Sequence, residues 1–383
     1  MDKNKKISFI LPCLNEEVAI GFCLEEIREV IRGEALSAEV IVVDNGSSDR
    51  SKQIVEEKQI NFPELRLVSE KKSGYGFAYL CGISEAGGDY LFLADADGTY
   101  DFKQVSNFAD KIEEGYDLVI GNRFSKKLEK GVMSWSHRFL GNPFLSFLVR
   151  LLFKVRVKDV HCGIRMIRRL SLKQITLYTG GMEFASEMII KAAKAGLKIG
   201  ELPVSYKKRI GESKLKTISD GWRHLRFILL YSPLALFLIP GLLIFFAGLF
   251  LLLYFYFFNP NIFGLQFYLH PLFLFSLMIL FGYQLIIFSA FSKIYAINHF
   301  GDSSYLVEKL FKHLTIEKAG TIGLIVVIIG VVLYVSIFIS WFNSGFNELN
   351  RIKESIIGLT LIMLGAQTFF SAFMFSILGI KEK

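Results

Sequence analysis

Cysteine is scarce and scattered. Cys13, Cys23, Cys81 and Cys162 fall at no metal-ligand spacing and are too few for a disulfide framework. Cys13 and Cys81 sit in or beside apolar runs and read as core residues. Charge is scarce in the second half of the chain. Of 44 Lys and Arg and 36 Asp and Glu, only 8 and 6 lie from Phe227 onward. A basic-aromatic nucleic-acid motif is missing, and a net charge of +8 on 383 residues is modest, so no nucleic-acid partner is expected. A cleavable leader is not expected either, because residues 1–6 are polar and the next apolar run holds about five residues. The polar half is therefore expected in a reducing cytosol.

What is present is apolar and unevenly placed. A mean hydropathy of +0.41 and 37 phenylalanines exceed what an ordinary soluble domain carries. The chain is expected to divide into a cytoplasmic α/β domain over 1–216, a juxtamembrane amphipathic helix over 217–235, and an all-α membrane domain over 236–383. Four segments are long enough to span, at 236–258, 265–288, 322–342 and 356–378. Pro233 and Pro240 are expected to separate an interfacial helix from the first span. Lys293, Lys309, Lys312 and Lys318 lie between spans two and three, and Lys381 and Lys383 follow span four. The positive-inside rule then makes this a multi-pass protein of the cell membrane, with the N-terminal domain and both termini cytoplasmic. Those four segments contain no Asp, Glu, Lys or Arg, which weighs against an ion or proton transporter.

In the polar half, short apolar runs alternate with turns and helical periodicity. Strands are expected at 7–11, 39–43, 65–68 and 91–97, with helices after the first three. Repeated strand–turn–helix units predict a mostly parallel, doubly wound sheet, whose ligands sit beyond the carboxyl ends of the strands. Asn15 and Glu16, Asp44, and the pair Asp95 and Asp97 all fall there. Two carboxylates two residues apart share one side of a strand end and repel each other, and a hard divalent cation relieves that repulsion. Gly74-Tyr75-Gly76 lacks the third glycine of a dinucleotide fingerprint and reads as close backbone approach at the site rim.

Further along, a strand at 117–120 leads to Arg123, a candidate phosphate ligand. Residues 134–153 read as one helix bearing Trp135, Phe139, Phe144, Phe147 and Leu151, suited to a membrane surface or a core. A turn at 158–165 carries Asp159, His161 and Arg165; His161, with no second ligand at zinc spacing, is not expected to bind metal. The helix 182–195 places Glu183 and Glu187 on one face. An edge strand at 201–206 precedes Arg209-Ile-Gly-Glu-Ser-Lys214, which reads as an anion-binding loop. Trp222, Arg223 and Arg226 follow at the expected headgroup depth.

These motifs together resemble the GT-A-fold family 2 glycosyltransferases of the polyprenyl-phosphate type, which includes the dolichyl-phosphate mannose synthases. The matching residues are Pro12-x-x-Asn15-Glu16, Val42-Val-Asp44-Asn-Gly-Ser-Ser-Asp49, Asp95-Ala-Asp97, Gly121-Asn-Arg-Phe124, Asp159-x-x-Cys-Gly-Ile-Arg165 and Arg209-x-Gly-Glu-Ser-Lys214. They run in the family's order over residues 7–226. The resemblance implies a nucleotide-diphosphate sugar donor and Mg²⁺ or Mn²⁺. Pro12, Leu14, Glu16, Val42 and Asp44 would hold base and ribose, with Asn15, Ser47 and Arg165 in the same binding motifs. Asp95, Ala96 and Asp97 would hold the diphosphate through the metal, Arg123 would meet phosphate charge, and Arg209 with Lys214 would close over the site. Asp97, Arg123 and Asp159 are the catalytic candidates. Two positions depart from the pattern: Thr99 stands where a metal-contacting Gln is usual, and Asn45 where a second acid follows Asp44. The QxxRW motif of processive relatives is absent.

The acceptor expectation rests on a missing base. A hydroxyl acceptor needs a general base, whereas a polyprenyl phosphate oxygen is already anionic. No Glu-Asp base motif follows the Asp95-Ala-Asp97 strand, so transfer of a hexose to a polyprenyl phosphate with inversion is the expected reaction. The rivals are transfer to a lipid or glycan hydroxyl, with Asp159 or Glu187 as base, and a sugar-lipid flippase whose polar half only binds ligand.

Overall fold

A computed structural model describes residues 5–125, 131–211, 217–262, 265–266, 269–300, 316–347 and 350–379. The chain forms two compact units, Met1–Tyr231 and Ser232–Lys383.

In the first unit the elements run β1 (Ile7–Cys13), α1 (Ile20–Gly33), β2 (Ala38–Asp44), α2 (Ser51–Gln59), β3 (Leu65–Ser69), α3 (Tyr75–Glu85), β4 (Tyr90–Leu93), α4 (Val105–Glu113), β5 (Leu118–Asn122), α5 (Asn142–Phe153), β6 (Arg165–Arg168), α6 (Arg169–Leu172), α7 (Phe184–Lys194), β7 (Ile199–Pro203) and α8 (Thr217–Leu230). Seven strands make one sheet in the order β3-β2-β1-β4-β6-β5-β7. All run parallel except β6, which lies antiparallel to both β4 and β5. Strands β1 and β2 are buried along nearly their whole length, as helices on both faces require. The chain winds outward from β1 to β3 and returns to place β4 on the other side of β1. That reversal is the topological switch point, and Asp95 and Asp97 follow β4 there. The mostly parallel sheet is the one the strand–turn–helix order predicts, and it is GT-A-like as the resemblance implies.

Two local readings change. Strand β6 lies where the sequence reads as leaving a turn; Arg-Met-Ile-Arg has neither alternation nor length, and antiparallel pairing with both β4 and β5 makes it a strand. The expected helix over 134–153 is interrupted by a π turn at His137–Gly141 before α5. Pro143, at the start of α5, has no amide hydrogen to continue the preceding helical ladder. Phe144, Phe147 and Leu151 project outward from α5, while Leu145 and Val149 face the core.

The second unit contains α9 (Ile239–Phe258), α10 (His270–Phe300), α11 (Ile316–Asn343) and α12 (Ile352–Gly379). Among the described residues, four stretches are long and apolar enough to cross a membrane: Leu234–Phe258, His270–Tyr295, Glu317–Asn343 and Ile352–Leu378. The second begins at His270 rather than at 265, and each otherwise runs past the expected span at one or both ends, so Lys293, Glu317, Lys318, Lys353 and Glu354 fall within terminal turns. Small residues let backbones approach, Gly241 against Gly282 and Gly323 against Gly365. Hydrogen bonds between Ser276 and Thr360 and between Gln284 and Gln367 tie α10 to α12.

Candidate active site

A cavity of about 460 Å³ opens beyond the carboxyl ends of β1, β2 and β4. Its rim begins with two loops laced together. Asn15 adopts φ +51°, a left-handed conformation that Asn tolerates, and its amide N–H donates to Ser47 Oγ at 3.0 Å. Ser48 N–H donates to Asn15 Oδ1 at 2.7 Å, and Glu16 N–H to Ser51 Oγ at 2.7 Å. Ser47 N–H donates in turn to Asp44 Oδ1 at 3.1 Å. These bonds hold Pro12, Leu14 and Glu16 along the cavity wall. Val42 is fully buried inside β2, so its contribution is to carry Asp44 and Asn45 to the rim.

Asn45 acts as a staple. Its amide donates to the carbonyls of Glu70 and Lys72, at 3.1 and 2.8 Å, and its Oδ1 accepts from Gly74 N–H at 2.7 Å. A carboxylate could not donate those two bonds, which accounts for Asn at this position. Gly74, at φ +150°, and Gly76 pack against the Gly180 backbone, where a Cβ on Gly74 would stand 2.2 Å from Gly180 O. The pair therefore makes the close backbone approach expected of it.

The two central aspartates have different surroundings. Asp95 Oδ1 accepts from the hydroxyls of Tyr75, at 2.8 Å, and Tyr79, at 3.4 Å. Burial, with the Asp97 charge second, pushes Asp95 up to about 6. A Cβ on Gly163 would stand 2.1 Å from Asp95 Oδ2, so only glycine lets the Cys162-Gly163 turn approach. Asp97 Oδ1 accepts from Thr99 through its N–H, at 3.1 Å, and its hydroxyl, at 2.6 Å. Thr99, standing in place of the usual Gln, thus orients Asp97. Asp97 Oδ2 lies 3.0 Å from Arg209 Nη1, and Arg209 Nη2 reaches the Glu16 carboxylate. Arg209 is brought there because 206–210 runs beside 97–100, with Lys207 N–H donating to Thr99 O and Ile210 N–H to Asp97 O. Lys214 lies outside the described residues.

Arg123, buried at the end of β5, is clamped by Asp159. Its Nε and Nη2 donate to the two carboxylate oxygens at 2.7 and 2.8 Å, and its backbone N–H adds a third bond at 3.1 Å. Arg123 lines the cavity, stacked 5.3 Å over the Tyr206 ring, while Asp159 is fully buried behind it. Arg165, also buried, donates to the carbonyls of Ala185 and Cys162 and reaches the site only through its charge, which favours the Asp95 carboxylate. Glu187 is fully buried, accepting from Tyr178 N–H, Thr179 N–H and Thr179 Oγ1, and paired with Lys191. Burial pushes the Cys13, Cys23 and Cys162 thiols up to about 12, which leaves them inert as nucleophiles.

Among the described residues, no three His, Cys, Asp or Glu side chains gather as a metal cage. The two aspartates nevertheless fit a hard cation, since Mg²⁺ or Mn²⁺ commonly takes one or two carboxylates and completes its shell from waters and substrate phosphates. The Arg209 guanidinium already places positive charge on Asp97. Tyr75 and Tyr79, which donate to Asp95, and Tyr206, under Arg123, carry no local signal in the sequence, because aromatic residues far apart in the chain are brought together only by the fold.

Residues 8–176 match the family model "Glycosyl transferase family 2", and residues 290–379 match "Glycosyltransferase family 2 C-terminal transmembrane region". The low-salt glycan biosynthesis hexosyltransferase Agl6 of Haloferax volcanii is 32% identical over 97% of this chain and 89% of its own length. The dolichyl-phosphate hexose transferase of the same organism is 32% identical over 56% of this chain and 89% of its own. The dolichol-phosphate mannosyltransferase of Pyrococcus furiosus is 30% identical over 57% of this chain and 62% of its own. With a GT-A-like sheet, a lined cavity at its switch point and four membrane-length helices, this chain belongs to glycosyltransferase family 2 and is a membrane-associated hexosyltransferase.

Proposed function

We propose that the protein transfers a hexose from a nucleotide-diphosphate sugar, GDP-mannose or a UDP-hexose, to a polyprenyl phosphate, with inversion at the anomeric carbon. The observation that carries this reading is the state of the two candidate bases. Asp159 is consumed by Arg123, and Glu187 by Tyr178, Thr179 and Lys191, so neither can take a proton from a hydroxyl in the cavity. A phosphate monoester needs no such group. One of its anionic oxygens attacks the anomeric carbon, that C–O bond forms as the bond to the diphosphate oxygen breaks, and the electron pair leaves on the nucleoside diphosphate.

Asp95 and Asp97 would hold Mg²⁺ or Mn²⁺, which supplies charge neutralisation of the leaving diphosphate. Pro12, Leu14 and Glu16, with Asp44 behind Ser47, form the nucleoside wall. Arg123, fixed in place by Asp159, offers its guanidinium to phosphate charge, and the clamp removes the reorganisation a free Arg would need. Arg209 exchanges the Glu16 and Asp97 carboxylates for the donor phosphates. The outward aromatics of α5 suit a lipid surface, and the first unit and both termini lie in the cytoplasm by the positive-inside rule.

Membranes holding the protein, supplied with labelled nucleotide sugars and polyprenyl phosphate, should yield a mild-acid-labile lipid product in a metal-dependent manner. Transfer only to a hydroxylated lipid or glycan would refute the reading.

A further inference from the structure

One part of the cavity wall carries none of the residues assigned above to the donor. It is lined by His161, Met182, Ala185, Arg223 and His224. Here two imidazoles stand edge to face, 4.4 Å between centroids, and share one hydroxyl. Ser186 Oγ lies 3.1 Å from His161 Nε2 and 2.9 Å from His224 Nδ1, and Ser186 is fully buried. The other His161 nitrogen, Nδ1, is buried and has no hydrogen-bond partner among the described residues. A buried polar atom left unpaired is costly, so a ligand atom that pairs with Nδ1 from the cavity is favoured.

The neutral state of both rings follows from their surroundings. Burial, then the neighbouring His224 and the charges of Arg123 and Arg165, hold His161 well below the usual imidazole range. Burial lowers His224 to about 4, against the pull of Asp220. A neutral imidazole carries one proton, and the Ser186 hydroxyl carries one to share between two nitrogens. If Ser186 donates to His161 Nε2, the His161 proton must be on Nδ1 and His224 Nδ1–H donates to Ser186. If Ser186 donates to His224, then His161 Nε2–H donates to Ser186 and Nδ1 is a bare lone pair. The direction of one hydroxyl therefore decides whether His161 offers the cavity a donor or an acceptor. Asp95 lies close by, against the Gly163 turn two residues on.

We infer that His161 is an acceptor-binding residue, its Nδ1–H donating to an anionic oxygen of the acceptor phosphate, with Ser186 and His224 setting that tautomer. The inference rests on the polyprenyl-phosphate reading and deepens it, because a phosphate oxygen selects the N–H state while a hydroxyl acceptor would call for the lone pair. The diphosphate of the donor is the other anion in the cavity, and the experiment separates the two.

The test compares His161→Asn, whose amide nitrogen takes the place of Nδ1, with His161→Gln, whose amide takes the place of Nε2. Steady-state transfer is measured with a short-chain polyprenyl phosphate, alongside nucleotide affinity and melting temperature of the full chain. H161Q should raise the acceptor KM at least tenfold, as loss of a hydrogen bond to a charged group does. H161N should stay within about threefold of the unsubstituted protein, and both should keep its nucleotide affinity. The opposite ranking, H161Q spared and H161N impaired, would mean that His161 is only a strut for Ser186 and overturns the inference. A rise in the nucleotide-sugar KM instead would assign His161 to the donor and overturn it as well. Unchanged acceptor KM in H161Q, with transfer intact, overturns the inference and leaves the polyprenyl-phosphate reading standing. Absence of transfer to polyprenyl phosphate by the unsubstituted protein overturns both.

Discussion

Replacing Asp159 by alanine separates a buried clamp from a general base. In the folded protein the Asp159 carboxylate receives three hydrogen bonds from Arg123 and is fully buried. Removing it leaves a guanidinium in the interior with no counter-charge, a change that costs about 3–5 kcal/mol. For a unit the size of Met1–Tyr231 that corresponds to a melting temperature lower by about 10 °C. Transfer should fall in parallel, because an unclamped Arg123 no longer holds its place in the cavity wall. Asp159→Asn keeps the shape but not the charge, and it should lose stability and rate together. A general base would instead lose rate alone. Substituting the pair by apolar residues, Arg123→Met with Asp159→Leu, should recover most of the lost stability while transfer stays absent. Thermal melts followed by the near-ultraviolet signal, with transfer measured on the same preparations, decide the matter. A D159A protein within about 1 kcal/mol of the original stability, or a D159N protein that is stable and inactive, would refute the clamp.

Three further outcomes follow from the site. Gly163→Ala places a methyl group where Asp95 Oδ2 now lies, so Mn²⁺ affinity, measured by titration, and transfer should each fall at least tenfold. The raised Asp95 value has a defined sign: the folded state keeps its proton up to about 6 while the unfolded state releases it near 3.8. Metal-free protein should therefore lose about 3 kcal/mol of stability as pH rises from 4 through 6, seen as a falling melting temperature, and Asp95→Asn should flatten that slope. Asn45→Asp loses two donated bonds and sets a carboxylate against the carbonyls of Glu70 and Lys72, so chemical denaturation should report a loss of about 2–3 kcal/mol.

Much of the site is legible in the chain because it is built at strand ends. Pro12, Glu16, Asp95, Ala96, Asp97, Arg123 and Arg209 are all brought to the cavity wall. Other motif residues are brought near it but serve the scaffold: Asn15 and Ser47 lace two loops, Val42 is interior, and Arg165 holds backbone carbonyls. A motif records which residues the arrangement needs, without separating those that touch a ligand from those that hold the wall.

The sequence by itself determined the alternation of strands and helices up to β4, the mostly parallel sheet, the carboxylate pair at the switch point and the four membrane-length helices. Each is written locally, in periodicity, turn residues and runs of apolar side chains, and needs no knowledge of distant partners. Only the tertiary structure decided that β6 enters the sheet antiparallel, that Asp159 belongs to Arg123, that Glu187 is locked inside α7, and that His161 shares a hydroxyl with His224. Those outcomes depend on which polar groups meet when the chain excludes water, and a buried charge or imidazole takes its partner from whichever element packs against it. Spacing along the chain carries no trace of that choice.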